Sequence, residues 1–167
     1  LEFRRVLFRS ALCGSMTVVP EATVARGFGL RDAGVTSMHD ATEGGVLGGL
    51  TEVASASGVG MRIDLAAIPV PPAVRAVCDH VGIDPYISIS EGTLLATVVP
   101  SRADAYVTAL ADAGIDAAVV GTVTEPSEGT VLVTPEGERP LVHPGLDPFW
   151  GAFGAWAAEA AGIAERS

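Results

Sequence analysis

Hydrophobic positions along this chain alternate between a period of two and a period near 3.6, and the switches between them mark the elements. Val35 to His39 is a short run bounded by Gly34 that predicts a strand. Asp40 opens a turn, after which Val46, Leu47, Leu50, Val53 and Ala54 lie on one face of a helix. Val59, Met61, Ile63 and Leu65 then alternate with Gly60, Arg62 and Asp64, the signature of a half-buried strand. Upstream, Thr17 to about Phe28 predicts a helix with Pro20 and Glu21 in its first turn. Downstream, Val74, Val77, Cys78 and Val81 fall at helical spacing and Gly82 stops that helix. Leu94 to Val99 is nearly continuous in apolar residues and reads as a strand covered on both faces.

Ser101 to Ala113 predicts a helix, with Ser101 and Asp104 as a capping pair and Tyr106, Val107 and Leu110 facing inward. Ile115 to Val123 alternates as a strand, and Thr130 to Thr134 with Arg139 to Val142 predicts a hairpin around Pro135-Glu136-Gly137. Asp147 and Pro148 supply the N-cap and first position of a last helix, whose face of Phe149, Trp150, Phe153, Trp156, Ala157 and Ala160 is expected to pack on the domain. Strands alternating with helices define the expected fold as an α/β (α+β) sandwich, a mixed sheet with helices packed on it. One domain over residues 11–145, followed by the amphipathic helix of 146–167, accounts for the length of 167 residues.

Composition narrows the partners. The formal charge is −10 and all ten basic residues are arginine, which disfavours nucleic acid. No apolar stretch reaches the roughly 20 residues of a membrane span. Cys13 and Cys78 have no metal-ligand spacing, so reduced thiols in a cytoplasmic protein are expected. The acidic, lysine-free composition is consistent with a salt-adapted, halophilic cytoplasm. Residues 1–10 differ in kind: they hold three arginines and one glutamate, a net +2, and read as a sequencing-adapter artefact that leaves about −12 for the remainder. The natural chain is accordingly expected to extend upstream.

Candidate chemistry gathers at two turns. Asp40 with Glu43 matches a capping box, and Thr42 is an equally good N-cap; either choice puts Gly44 and Gly45 in the first helical turn. Glycine costs about 1 kcal/mol against alanine inside a helix, so Gly44, Gly45, Gly48 and Gly49 within six positions need a cause. Either the bare helix N-terminus receives a phosphate or the glycines permit close packing on the sheet. The second turn is Ser90-Glu91-Gly92-Thr93. In an open α/β fold the two converge on one crevice, where His39 and Asp40 are placed for proton transfer or for holding a magnesium-linked water. There is no G-x-S-x-G elbow, no phosphate-binding G-x-x-x-x-G-K loop, no H-E-x-x-H, and without lysine no Schiff-base chemistry.

The series M-H-D-A-T-E-G-G-V, L-T-E-V-A-S-A-S-G-V-G, I-P-V, V-R-A-V-C, G-I-D-P and S-E-G-T-L-L, in that order, resembles the C-terminal domain of aminoimidazole ribonucleotide (AIR) synthetase-related proteins from about Met16 to Val133. Within that superfamily it looks most like the hydrogenase-maturation, carbamoyl dehydratase-like branch in its archaeal form. The resemblance implies an ATP- and Mg2+-dependent enzyme that phosphorylates a carbonyl-type oxygen of a small-molecule or protein-borne substrate and then displaces it. It also implies that an acidic N-terminal domain, missing here, binds most of the ATP and metal and forms a homodimer. Asp40, Thr42, Gly44, Gly45, Glu91 and Gly92 would contact the nucleotide, with no metal ligand of this chain's own. The branch ends in a cysteine whereas this chain ends Ala164-Glu165-Arg166-Ser167, so a related reaction on another substrate is the expectation. The competing expectations are a stand-alone phospholigand-binding or regulatory domain and an interaction domain docking through the aromatic helix.

Overall fold

The computed structural model describes residues 16–164; the expectation for residues 1–10, and Cys13, lie outside them. The first helix, α1 (Val19–Phe28), carries Pro20 in its first turn and ends at Gly29. Strand β1 (Val35–Asp40) leads into α2 (Gly45–Ser57), and Gly58 in the left-handed region turns the chain into β2 (Gly60–Asp64). After the proline-rich connector come α3 (Pro72–Val81), β3 (Leu94–Val98) and α4 (Ala103–Asp112). Strands β4 (Gly121–Thr124), β5 (Thr130–Thr134) and β6 (Gly137–Pro140) precede the last helix, α5 (Pro148–Ala164).

The fold is mixed α/β, as its periodicities predict, but its strands form two sheets. β1 and β3 make an antiparallel pair in which Asp40 faces Leu94, while the larger sheet runs β4-β2-β5-β6 with β2 and β5 parallel. Helix α2 lies between the sheets. Leu47, Leu50 and Val53 join Met61 and Ile63 of β2 and Leu132 of β5 in the principal core, and Leu95 of β3 packs against it. A second core joins Ala25 of α1 to Val35, Tyr106 and Leu110. Within β2 Met61 and Ile63 are buried and Arg62 and Asp64 exposed, since alternation along a pleat puts every second side chain on one face, but Gly60, predicted on the outward set, is buried as well.

Several expectations are corrected by the structure. Leu94–Val98 is half-buried, with Ala96 exposed, because its sheet has two strands and one partner layer. Residues 115–120 are irregular and the strand begins at Gly121. The hairpin turns earlier than predicted, with Thr134 paired to Gly137 across two residues. Helix α4 follows a short 3-10 turn at Pro100–Arg102 and has no side-chain cap, so the Ser101–Asp104 pair does not form. In α3 Cys78 is buried, whereas Val74 and Val77 are exposed. Helix α5 forms from its predicted Asp147–Pro148 start, but Trp150, Phe153 and Trp156 are 45, 52 and 40 % exposed, so its aromatic face is not packed on the domain.

Candidate functional site

The two predicted turns meet. The Ala41 N–H donates to Thr93 O at 2.9 Å, the Ser90 N–H donates to Thr42 O at 3.1 Å, and the Ser90 hydroxyl donates to Ala41 O at 2.8 Å. β1 and β3 deliver the turns side by side, because their antiparallel pairing ends at Asp40 opposite Leu94. Thr42 and Glu91 are exposed on this junction, and Gly92 adopts φ +73°. Asp40 is half-buried, and its Oδ1 is shielded from solvent with no hydrogen-bond partner. An orphaned carboxylate oxygen costs desolvation energy, which a proton donor or cation placed there would offset. That fits Mg2+ as one oxygen ligand, not as a complete site: among the described residues no three His, Cys, Asp or Glu converge to hold a metal ion.

The glycine turn departs from the predicted capping box. Asp40 is the last strand residue, and the N-cap of α2 is Gly44, at φ +77° with no side chain of its own to cap. The next residue, Gly45, also has positive φ at +63°. Two successive left-handed residues are accessible to glycine and strained for any other side chain. Space adds to the demand: a methyl on Gly45 would lie 2.6 Å from Ser88 O and 2.7 Å from Tyr86 O. The Leu47 N–H donates to that same Tyr86 carbonyl at 3.0 Å, so the 84–90 loop is laced to the helix start. Arg75 props the loop from behind, donating to the Tyr86 hydroxyl at 3.1 Å with its guanidinium 5.4 Å from the ring centre.

The cap itself comes from far along the chain. Asp147, 3 % exposed, accepts the Gly44 N–H on Oδ2 at 2.8 Å and the Phe149 N–H on Oδ1 at 2.9 Å. One carboxylate thus serves the N-termini of α2 and α5, and both helix dipoles favour its charge. Alternation and motif spacing gave no signal for this pairing. The nearest clue was the Asp-Pro cap of α5, which explains one of the two bonds.

His39 does not point at Asp40's partner turn. Its Nε2 lies 2.8 Å from Glu52 Oε2, just past the middle of α2, and His143 Nε2 lies 3.5 Å from the other oxygen. The Gly145 N–H donates to His143 Nδ1, leaving Nε2 as the protonated nitrogen of the neutral ring. Thr51, Glu52, Ser55, Ala56 and His143 line an open cavity of about 450 Å3 on this side of the helix. Gly49 lets His39 and Leu95 approach: a methyl there would meet Leu95 Cδ1 at 2.8 Å and His39 Cδ2 at 3.3 Å.

A mixed α/β domain whose glycine-rich helix start is laced to a Ser-Glu-Gly-Thr turn is the class these elements define, and residues 17–134 match the family described as AIR synthase related protein, C-terminal domain. The chain belongs to that family. Its relatives point to one branch. A carbamoyl dehydratase HypE of Rhizobium leguminosarum bv. viciae is 44 % identical over 93 residues, 54 % of this chain and 27 % of that protein. A hydrogenase expression/formation protein of Methanocaldococcus jannaschii is 30 % identical over 116 residues, 68 % of this chain and 35 % of that protein, so the archaeal form is the more distant of the two. The crystal structure of Escherichia coli HypE, a hydrogenase maturation protein, superimposes with a TM-score of 0.61 at 39 % identity, covering 69 % of this chain and 36 % of that one. A HypE crystal structure in complex with ATP gives 0.59 at 29 % identity over 65 % and 36 %. The chain therefore spans between a quarter and about a third of the length of the curated relatives it matches.

Proposed function

We propose that this chain is the C-terminal domain of an ATP-dependent enzyme of the hydrogenase-maturation, carbamoyl dehydratase type, and that its two laced turns form one wall of the nucleotide and substrate cleft. The observation that carries the reading is the junction of Met38–Gly45 with Ser90–Thr93, where Asp40 keeps a shielded oxygen without a partner. The HypE similarity supplies the chemistry to which that junction is suited. ATP, when bound, supplies a phosphoryl group that turns a carbonyl-type oxygen into a leaving group.

In this reading Asp40 accepts a proton or meets the magnesium ion, and the exposed Thr42 hydroxyl and the Gly92 turn approach the phosphates. Glu91, exposed beside them, is free to reach a substrate proton. His39, whose side chain is turned to Glu52 on α2, serves the junction only by fixing the end of β1 that carries Asp40. The protein is cytoplasmic and dimeric, its metal and most of its ATP contacts coming from the part of such enzymes that precedes this domain. Among the described residues no helix is long and apolar enough to cross a membrane.

The test uses a chain carrying the ATP-binding part together with this domain. Asp40→Asn is expected to lower ATP turnover by about 100-fold or more, as removal of a preorganised charge at a reacting centre does, with an unchanged melting temperature. Turnover within a few-fold of the parent protein would reject the assignment.

A further inference from the structure

The glycine face of α2 is already occupied by this chain's own C-terminal segment. Pro144 Cγ would lie 3.2 Å from a methyl on Gly44 and 3.7 Å from one on Gly48, and His143 Nε2 would lie 3.4 Å from the latter. The two glycines are one helical turn apart, so their missing side chains leave a shallow bed for residues 143 and 144. Leu141 anchors one end of the segment, buried and donating its N–H to Thr130 O at 2.8 Å. Asp147 anchors the other on the Gly44 N–H. His143 adds a lateral contact to Glu52 at 3.5 Å.

Resting on the phosphate reading above, we propose that residues 143–147 are a self-capping strap: the Asp147 carboxylate holds the anion position at the start of α2, and a phosphate reaches the Gly44 N–H when the strap lifts. Two negative groups cannot share one N–H, and a buried carboxylate deprived of it would be driven to solvent. The cap of α5 is local, Asp147 Oδ1 to the Phe149 N–H two residues on, so the start of α5 travels with the carboxylate when it leaves Gly44. Ligand arrival and the placement of the aromatic helix are thereby coupled through a single side chain. The regulation is reciprocal, since whatever fixes α5 in place with its cap intact opposes phosphate entry.

Two arms test this on the chain as it stands. In hydrogen exchange, Asp147→Ala should speed exchange at Gly44 and over residues 143–147 by at least tenfold while β2 and β5 stay protected; unchanged Gly44 exchange overturns the strap. In the second arm, inorganic tripolyphosphate is titrated while the Gly44 and Gly45 amide resonances are followed. Asp147→Asn, which keeps shape and loses charge, should bind at least fivefold more tightly than the parent chain. Equal or weaker binding overturns the competition while sparing the phosphate reading. Binding to neither chain, with the strap opened in the first arm, overturns the proposal and leaves Asp147 a structural cap, while the cleft reading, which draws most of its nucleotide contacts from the preceding part, is tested by Asp40→Asn.

Discussion

Gly45 and Gly49 occupy the same helix and answer to different constraints. At Gly45 a methyl would meet two backbone carbonyls, from Ser88 and Tyr86, on a residue already at φ +63°. Carbonyls in a laced loop cannot retreat, so Gly45→Ala is expected to cost on the order of 2–4 kcal/mol, strain and clash together. At Gly49 the tightest neighbour is the tip of Leu95, which can change rotamer, and the position is ordinary helix. Gly49→Ala should cost no more than about 1–2 kcal/mol, part of it returned by helix propensity. Urea unfolding of both variants checks the order, and a Gly49 effect as large as that of Gly45 would refute it. Charge offers a second residue-scale outcome. The Arg62 guanidinium, hydrogen-bonded to Glu138 across β5, holds that carboxyl below its ordinary value of 4.5 and is itself pushed up by the same contact. Because the folded value is the lower one, the pair's contribution is present above pH 4.5 and is lost as pH falls through the folded value. Both side chains are exposed, so the effect is small and screened by salt. Glu138→Gln should slightly lower the urea midpoint above pH 4.5 and leave it unchanged well below the folded value, so that the acid limb flattens, measured at low ionic strength.

Elements were legible wherever one short-range rule decided them. The alternation at Met61 and Ile63 and the helical stripe at Leu47, Leu50 and Val53 are local patterns with one buried side, and both are core in the structure. What escaped was decided at a distance. The cap of α2 lies on Asp147, 103 residues from Gly44, so the nearer Asp40 and Thr42 were the reasonable candidates and neither caps it. The two turns were expected to converge, and hydrogen bonds from Ala41 and Ser90 bring them together. The orphaned Oδ1 of Asp40, by contrast, depends on solvent exclusion that no spacing encodes. Helix α5 shows the opposite failure, a correct stripe without a surface beneath it: its aromatic residues define a face, yet Trp150 and Trp156 remain substantially exposed. Acrylamide should therefore quench this chain's fluorescence with a constant below that of free tryptophan but several-fold above that expected of a helix laid on the domain with its tryptophans buried. Tight pairing of the aromatic face with another protein part would also lower it, and that change would locate the partner surface.

At the scale of the molecule, the family match ends at residue 134, before the strap and α5, so those additions sit outside the region that defines the domain. The arrangement of its sheets has a consequence for how the chain is made. β2 has β4 on one side and β5 on the other, with Met61 opposite Val123 and Thr130, and β1 waits for β3, with Val35 opposite Val98. The β5–β6 hairpin is the local exception. During synthesis at about 5–20 residues per second, β2 would emerge with both edges bare and remain so for on the order of ten seconds before its partners follow. Bare edges flanked by Met61 and Ile63 invite pairing with another nascent chain. The outward-facing Arg62 and Asp64 on that strand are exposed charges, and on the ribosome they would serve as gatekeepers that discourage such pairing until Thr130–Thr134 arrives to complete the sheet.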